Sequence, residues 1–143
     1  MALNAIKEDL ISSNMQFAYT ILYVSNVAAS LAHYEAAYGF TTRFLHESST
    51  YGELETGATT LGFAARELGE ENFPGGVETP DCKRRPFPSE IAFATPDVDS
   101  AYQRAIAAGA IAVAPPKLKP WGQTVAYVRD IDGHLLELCT PIG

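Results

Sequence analysis

A chain of 143 residues with 47% hydrophobic and 19% charged side chains can bury one real core and is too apolar for intrinsic disorder. Its formal net charge of −7 leaves no basic face for a nucleic-acid duplex. No apolar run approaches the roughly 20 residues that span a bilayer, and no basic stretch leads into an apolar one at the N-terminus, so a cytoplasmic location is expected.

Residues 1–15 come first, and the spacing of Leu3, Ile6 and Leu10 predicts a short helix. Residues 16–64 read as a first module. Phe17 to Val24, rich in β-branched and aromatic side chains, is a strand. Ser25-Asn26 supplies an N-cap. Val27, Leu31, Tyr34 and Tyr38 then form one helical face, closed by Gly39. Phe40 to Leu45 and Tyr51 to Thr56 are strands, the second alternating, with Glu53 and Glu55 on a solvated side. Thr56-Gly57 turns into a last strand, Thr59 to Ala64.

Residues 65–88 read as a connector in which Pro74-Gly75-Gly76, Pro80, Pro86 and Pro88 break any regular element. A connection of this length is expected to be functional or mobile. It carries the basic cluster Lys83-Arg84-Arg85, expected to be a solvated loop, with an anion contact as the alternative.

Residues 89–143 repeat the first module. Glu90 to Thr95 is a strand and Asp97 an N-cap. Val98, Tyr102, Ala105 and Gly109 each stand 71 positions after Val27, Leu31, Tyr34 and Tyr38. Ala110 to Ala114 and Gln123 to Arg129 are the next strands. Asp132-Gly133 is a hairpin signal leading into His134 to Thr140. The predicted fold is therefore α+β: two βαβββ modules forming a curved mixed sheet around a small-molecule cup. One face of each sheet carries a helix, and the bare faces must meet each other or a ligand.

The stretch from Tyr19 to Phe40 resembles the opening of glyoxalase, extradiol dioxygenase and bleomycin-resistance domains, the vicinal oxygen chelate family. Trp121 to Leu138, with Asp132-Gly133 inside it, resembles the family's closing hairpin. The resemblance covers residues 16–141 and implies the fold more than the reaction, because this fold hosts many chemistries. It also implies a homodimer, since many members complete their cups by pairing domains. Members with metal chemistry place ligands on the first and last strands of each module. Those positions fall on Tyr19, Leu61, Glu90 and Glu137. Glu137 stands 76 positions after Leu61, the same offset that separates Gly133 from Gly57. Only Glu137 matches the family's metal-binding pattern.

A catalytic iron, zinc or nickel site usually needs three protein ligands, commonly with imidazole. No histidine falls at a ligand position. His33 is expected to face solvent on its helix, and His134 to lie on the strand face opposite Glu137. His46 ends a strand, either at the mouth of the cup or on the surface. The remaining set of Glu137, Glu90 and Tyr19 suits a hard divalent ion at most.

Strand parity puts Glu137 with Leu135 and Cys139, and Glu90 with Ala92 and Ala94. Both carboxylates are thus expected in the cup among Tyr19, Ile21, Leu61 and Phe63. There they serve as base, acid or anchor for a cation, or are paired off with Tyr19, Arg43, Arg66 or water. Tyr51, Phe63 and Trp121 offer flat apolar surface. Trp121 either caps the mouth or packs on the connector, and Arg66 either meets an anionic group or stays at the surface. Cys82 and Cys139 are too few for a disulfide framework and are expected to stay unbridged.

The leading expectation is metal-free binding of a small aromatic or cationic molecule, with no cofactor. The alternative is a metal-dependent lyase, isomerase or dioxygenase using Glu137 and Glu90. A third is a collapsed cup that serves only assembly.

Overall fold

A computed structural model describes residues 14–142. The helix expected from Leu3, Ile6 and Leu10 lies outside them. In chain order the elements are β1 (Tyr19–Val24), α1 (Val27–Tyr38), β2 (Thr41–Leu45), β3 (Tyr51–Glu55), β4 (Thr60–Ala65), α2 (Arg66–Asn72), β5 (Ile91–Ala94), α3 (Val98–Ala107), β6 (Ile111–Leu118), β7 (Thr124–Arg129) and β8 (Leu135–Cys139). They form two four-stranded sheets, ordered β1-β4-β3-β2 and β5-β8-β7-β6. In each sheet the first strand runs parallel to the last, and the others are antiparallel. These are the two βαβββ modules.

The caps set the helix bounds. Asn26 accepts the N–H of Ala29 at 3.0 Å, and Gly39, at φ 78°, ends α1 in the left-handed region. Asp97 accepts the N–H of Ser100 at 3.1 Å and starts α3. The predicted apolar face of α1 (Val27, Leu31 and Tyr34) is buried on Leu54, Leu61 and Phe63. The Tyr34 and Phe63 rings lie 4.9 Å apart. The same core runs on through Ala105, Val128 and Leu136 of the second module.

Helix α1 also packs against α3, so it is buried on a second flank. That flank holds His33, which was expected in solvent and is instead 6% exposed. Its Nδ1 lies 3.1 Å from the carbonyl of Ala108, at the end of α3. A helix flank turned away from its own sheet can still be an interface toward another module, and periodicity within one module does not reveal this.

Polar clamps join the modules. The hydroxyl of Tyr34 donates to Asp130, a carboxylate with no exposed surface. The other oxygen of Asp130 accepts the N–H groups of Asp132 and His134, both at 2.9 Å. Ser30 Oγ donates to Asp132 at 2.6 Å, and Arg104 Nε to the carbonyl of Ala36 at 2.8 Å. Burial first, then the charge of Asp130, holds the Tyr34 hydroxyl well above its usual range, so it remains a protonated donor.

Three local expectations are corrected. The connector is not free of regular structure, because α2 occupies its head before Pro74 stops it. Strand β6 runs on to Leu118, through Pro115-Pro116. It is an edge strand with register shifts, the setting that tolerates proline. In β4, Leu61 and Phe63 point into the helix-side core, 4% and 0% exposed, not into the cup.

Candidate functional site

The face of each sheet away from α1 and α3 is where a cup would form. On the second sheet, β8 lies between β5 and β7, which sets Glu137 opposite Ala92 on one side and Tyr127 on the other. Glu90 stands one residue before β5, on the same face by parity. Tyr127 donates its hydroxyl to Glu137 at 3.0 Å. Partial burial first, then a hydrogen bond to Glu137 and its charge, raises the Glu90 carboxyl above its ordinary value. Burial and the Glu137 contact push Tyr127 up to about 12. The Cys139 thiol is raised by burial first, then by a hydrogen bond to Glu137. Glu90, Glu137, Tyr127 and Cys139 lie together on this face. Among the described residues neither carboxylate of the cluster forms an ion pair, and both cysteines are free thiols.

The first sheet bears a different set. Glu53 and Glu55 do not lie on a plain solvated side, because Arg43 pairs with Glu53 at 3.3 Å and with Glu55 at 2.9 Å. Arg43 sits at a register shift between β2 and β3, which lets its guanidinium reach both. Tyr51 donates to Glu53 at 2.7 Å. Its ring lies over Gly62, where an added Cβ would come within 2.8 Å of the hydroxyl.

Registers identify the true counterparts. Gly62 pairs with Ile21 and Glu53, as Glu137 pairs with Ala92 and Tyr127. The counterpart of Glu137 is therefore Gly62, and Leu61 is displaced by one residue onto the other face. Gly57 and Gly133 do share a left-handed φ, at 90° and 93°, but the first hairpin has one more residue between glycine and site. A one-residue slip exchanges the faces of a strand. Tyr19 keeps its place as counterpart of Glu90 and is 54% exposed.

The remaining candidates lie apart from the cluster. Trp121 is 68% exposed at the β6–β7 turn, where its Nε1–H donates to Gln123 at 2.8 Å. Arg66 starts α2, with its Nε buried and without a hydrogen-bond partner. His46 is exposed in the β2–β3 turn, 2.7 Å from Ser48 Oγ. His134 is half-buried, and its Nε2–H donates to the carbonyl of Tyr23 at 3.1 Å, tying the modules together. Tyr127 was absent from the predicted site, and Arg43, expected as a possible partner of Glu90 or Glu137, pairs with Glu53 and Glu55 instead. The alternation Thr124–Arg129 beside Glu137 carried the signal for Tyr127, whereas the β2 irregularity that redirects Arg43 has no sequence marker.

A cavity of about 550 Å³ opens at the Glu90 end of this face. Its walls include Ile21, Ile91 and Leu135 from the strands and Val77 and Phe87 from the connector.

The donor set does not fit a catalytic transition metal. No group of three His, Cys, Asp or Glu side chains able to hold an ion converges among the described residues. The first-sheet counterparts of the two glutamates are a phenol and a glycine.

The glyoxalase/bleomycin resistance protein/dioxygenase superfamily model matches residues 16–138, and the chain belongs to that superfamily. A glyoxalase-related enzyme from Fulvimarina pelagi is similar at 24% identity and TM-score 0.76, over 90% of this chain and 93% of that one. The hypothetical protein SA1046 from S. aureus is 20% identical with TM-score 0.75, over 89% and 95%. A protein of unknown function from Agrobacterium tumefaciens is 26% identical with TM-score 0.70, over 90% and 95%. No functionally curated protein matches. No helix among the described residues is long and apolar enough to cross a membrane.

Proposed function

We propose that this chain is a metal-free binding protein for a small organic molecule, aromatic or cationic, held at the Glu90–Glu137 face. One observation carries the reading: Glu90 and Glu137 share one face of the second sheet, Glu137 accepts from Tyr127, and among the described residues no basic side chain pairs with either carboxylate. Negative charge kept partly out of water is a standing attraction for a cation. A homodimer suits the reading, because the face is open and Tyr19, Phe44 and Trp121 are 54%, 42% and 68% exposed.

The probe is benzyltrimethylammonium, followed by calorimetry in the presence of a chelator. Binding is expected to survive the chelator and to weaken about tenfold in Glu137→Gln, the scale of one charge-assisted contact. Binding that vanishes with the chelator, or ignores Glu137→Gln, refutes it. Sedimentation of the full chain reads the dimer.

A second reading rests on the same pair. Burial and the neighbouring Glu137 raise Glu90, and a carboxyl held toward its protonated form beside a second carboxyl is an arrangement that general acid–base chemistry uses. It makes the chain a lyase or isomerase with Glu137 as base. Turnover of a carbonyl substrate, abolished by Glu137→Gln, selects it over binding alone.

A further inference from the structure

The 550 Å³ cavity is far larger than an ion needs and falls in the range of small-molecule pockets. Its surface is mainly hydrocarbon, and the charged side chains lining it are the carboxylates Glu78 and Glu90. Glu137, Tyr127 and Cys139 do not line it. It is thus a separate room that meets the carboxylate face at Glu90.

The outer wall is the connector, and one residue holds it. Arg129 is 4% exposed, on the last turn-ward position of β7. Its Nε donates to the carbonyl of Gly133 at 2.9 Å, its Nη1 to that of Arg84 at 2.6 Å and its Nη2 to that of Asp81 at 3.2 Å. Among the described residues no carboxylate pairs with this buried guanidinium, so ion pairing does not account for it. What its planar fork does is bridge backbone groups of two segments. Residues 81–84 form a small turn of their own, with the N–H of Arg84 donating to the carbonyl of Asp81 at 2.9 Å. Gly133 lets that turn lie close, since a Cβ there would stand 2.8 Å from Pro80 Cβ. The wall residues flank the pinned turn on both sides: Val77 and Glu78 before it, Phe87 after it.

We infer that this cavity houses the apolar, multi-ring body of the ligand whose cationic end meets Glu90 and Glu137, and that Arg129 is the positioning residue that fixes the connector as its wall. The charged end of this inference rests on the binding function proposed above; the chamber itself does not.

Three probes separate the two in the full chain: benzyltrimethylammonium, berberine (a large flat cation) and Nile red (large and neutral). Berberine is expected to bind at least about tenfold more tightly than benzyltrimethylammonium, because its rings fill the chamber. Phe87→Ala is expected to weaken berberine and Nile red about tenfold and benzyltrimethylammonium less than twofold. Arg129→Gln and the milder Arg129→Lys are expected to weaken berberine likewise. Both are also expected to speed tryptic cleavage after Lys83 and Arg84, with the circular-dichroism spectrum retained. If benzyltrimethylammonium binds through Glu137 while berberine gains nothing and ignores Phe87→Ala, the chamber is overturned and the open-face function stands. If neither cation binds but Nile red does, with Phe87 dependence, the chamber stands and the open-face function fails. Unchanged trypsin rates in both Arg129 variants overturn its positioning role.

Discussion

The open faces of the two sheets are built on one plan and differ in how their carboxylates are partnered. On the first sheet, Glu53 and Glu55 both pair with Arg43 from within the same sheet, and the position matching Glu137 is a glycine covered by the Tyr51 ring. On the second, Glu137 accepts from Tyr127 with Glu90 on the same face, and among the described residues no cation pairs with either carboxylate. The repeated plan thus holds one carboxylate pair bridged by a guanidinium and one pair with no cation paired to it. A carboxylate's usefulness is set by what stands beside it rather than by its presence.

The largest test concerns the two sides of β4. Phe63 lies wholly inside the helix-side core, so Phe63→Ala is expected to cost about 3–5 kcal/mol in urea denaturation. If Phe63 instead faced the cup, the cost would fall mainly on ligand affinity and little on stability.

A second test converts one face into the other. Ala92 is exposed and pairs directly with Glu137 across β5 and β8. Ala92→Arg is expected to place a cation on that carboxylate, as Arg43 does on the first sheet, and to weaken benzyltrimethylammonium by about tenfold or more. Unaltered affinity would separate cation binding from the Glu137 charge.

Acid titration should move the two faces in opposite directions. Glu90 is raised in the folded chain, so its contribution to stability is present below the unfolded carboxyl value and lost as pH climbs through the folded one. Glu55 is lowered, first by its hydrogen bond to Arg43, so its contribution is present above the unfolded value and lost as pH falls through the folded one. Carbon-13 titration of the glutamate carboxyls is expected to place Glu90 above and Glu55 below an ordinary glutamate. Cation affinity should rise with pH as Glu90 loses its proton, and Glu90→Gln should flatten that rise. A Glu90 titrating at or below the ordinary value would remove the contrast.

The smallest effects belong to the two tyrosines. Tyr127→Phe and Tyr51→Phe each remove one hydrogen bond to a glutamate, worth about 1 kcal/mol or less in a thermal melt. The Tyr127→Phe loss is expected to be the larger of the two, because Arg43 still serves Glu53 in the other variant.

Much of the architecture was legible along the chain. Asn26, Gly39 and Asp97 marked helix bounds that the caps reproduce, and the 71-residue repeat from Val27 to Val98 set both modules in phase. Local hydrogen bonding and periodic burial are properties of short segments, so they leave a trace in order and spacing. The family resemblance agreed with the match over residues 16–138. The candidate site was legible only as a set of residue types, with Glu90 and Glu137 named correctly as face-sharing positions.

What the fold decided depended on a single residue of register or on a neighbour far along the chain. The extra residue after Gly57 turned Leu61 and Phe63 into the core and put Gly62 opposite Glu53, because strand faces alternate and tolerate no slip. His33 was buried by α3, a helix some 75 positions away across the module boundary, which its own periodicity does not encode. Arg43 met its two glutamates through a strand irregularity, and Arg129 met the connector across tens of residues. The chain's composition and repeat dictated two modules with acidic inner strands. Which acids stayed unpaired, and which arginine closed the chamber beside them, was settled only when distant backbone came together in three dimensions.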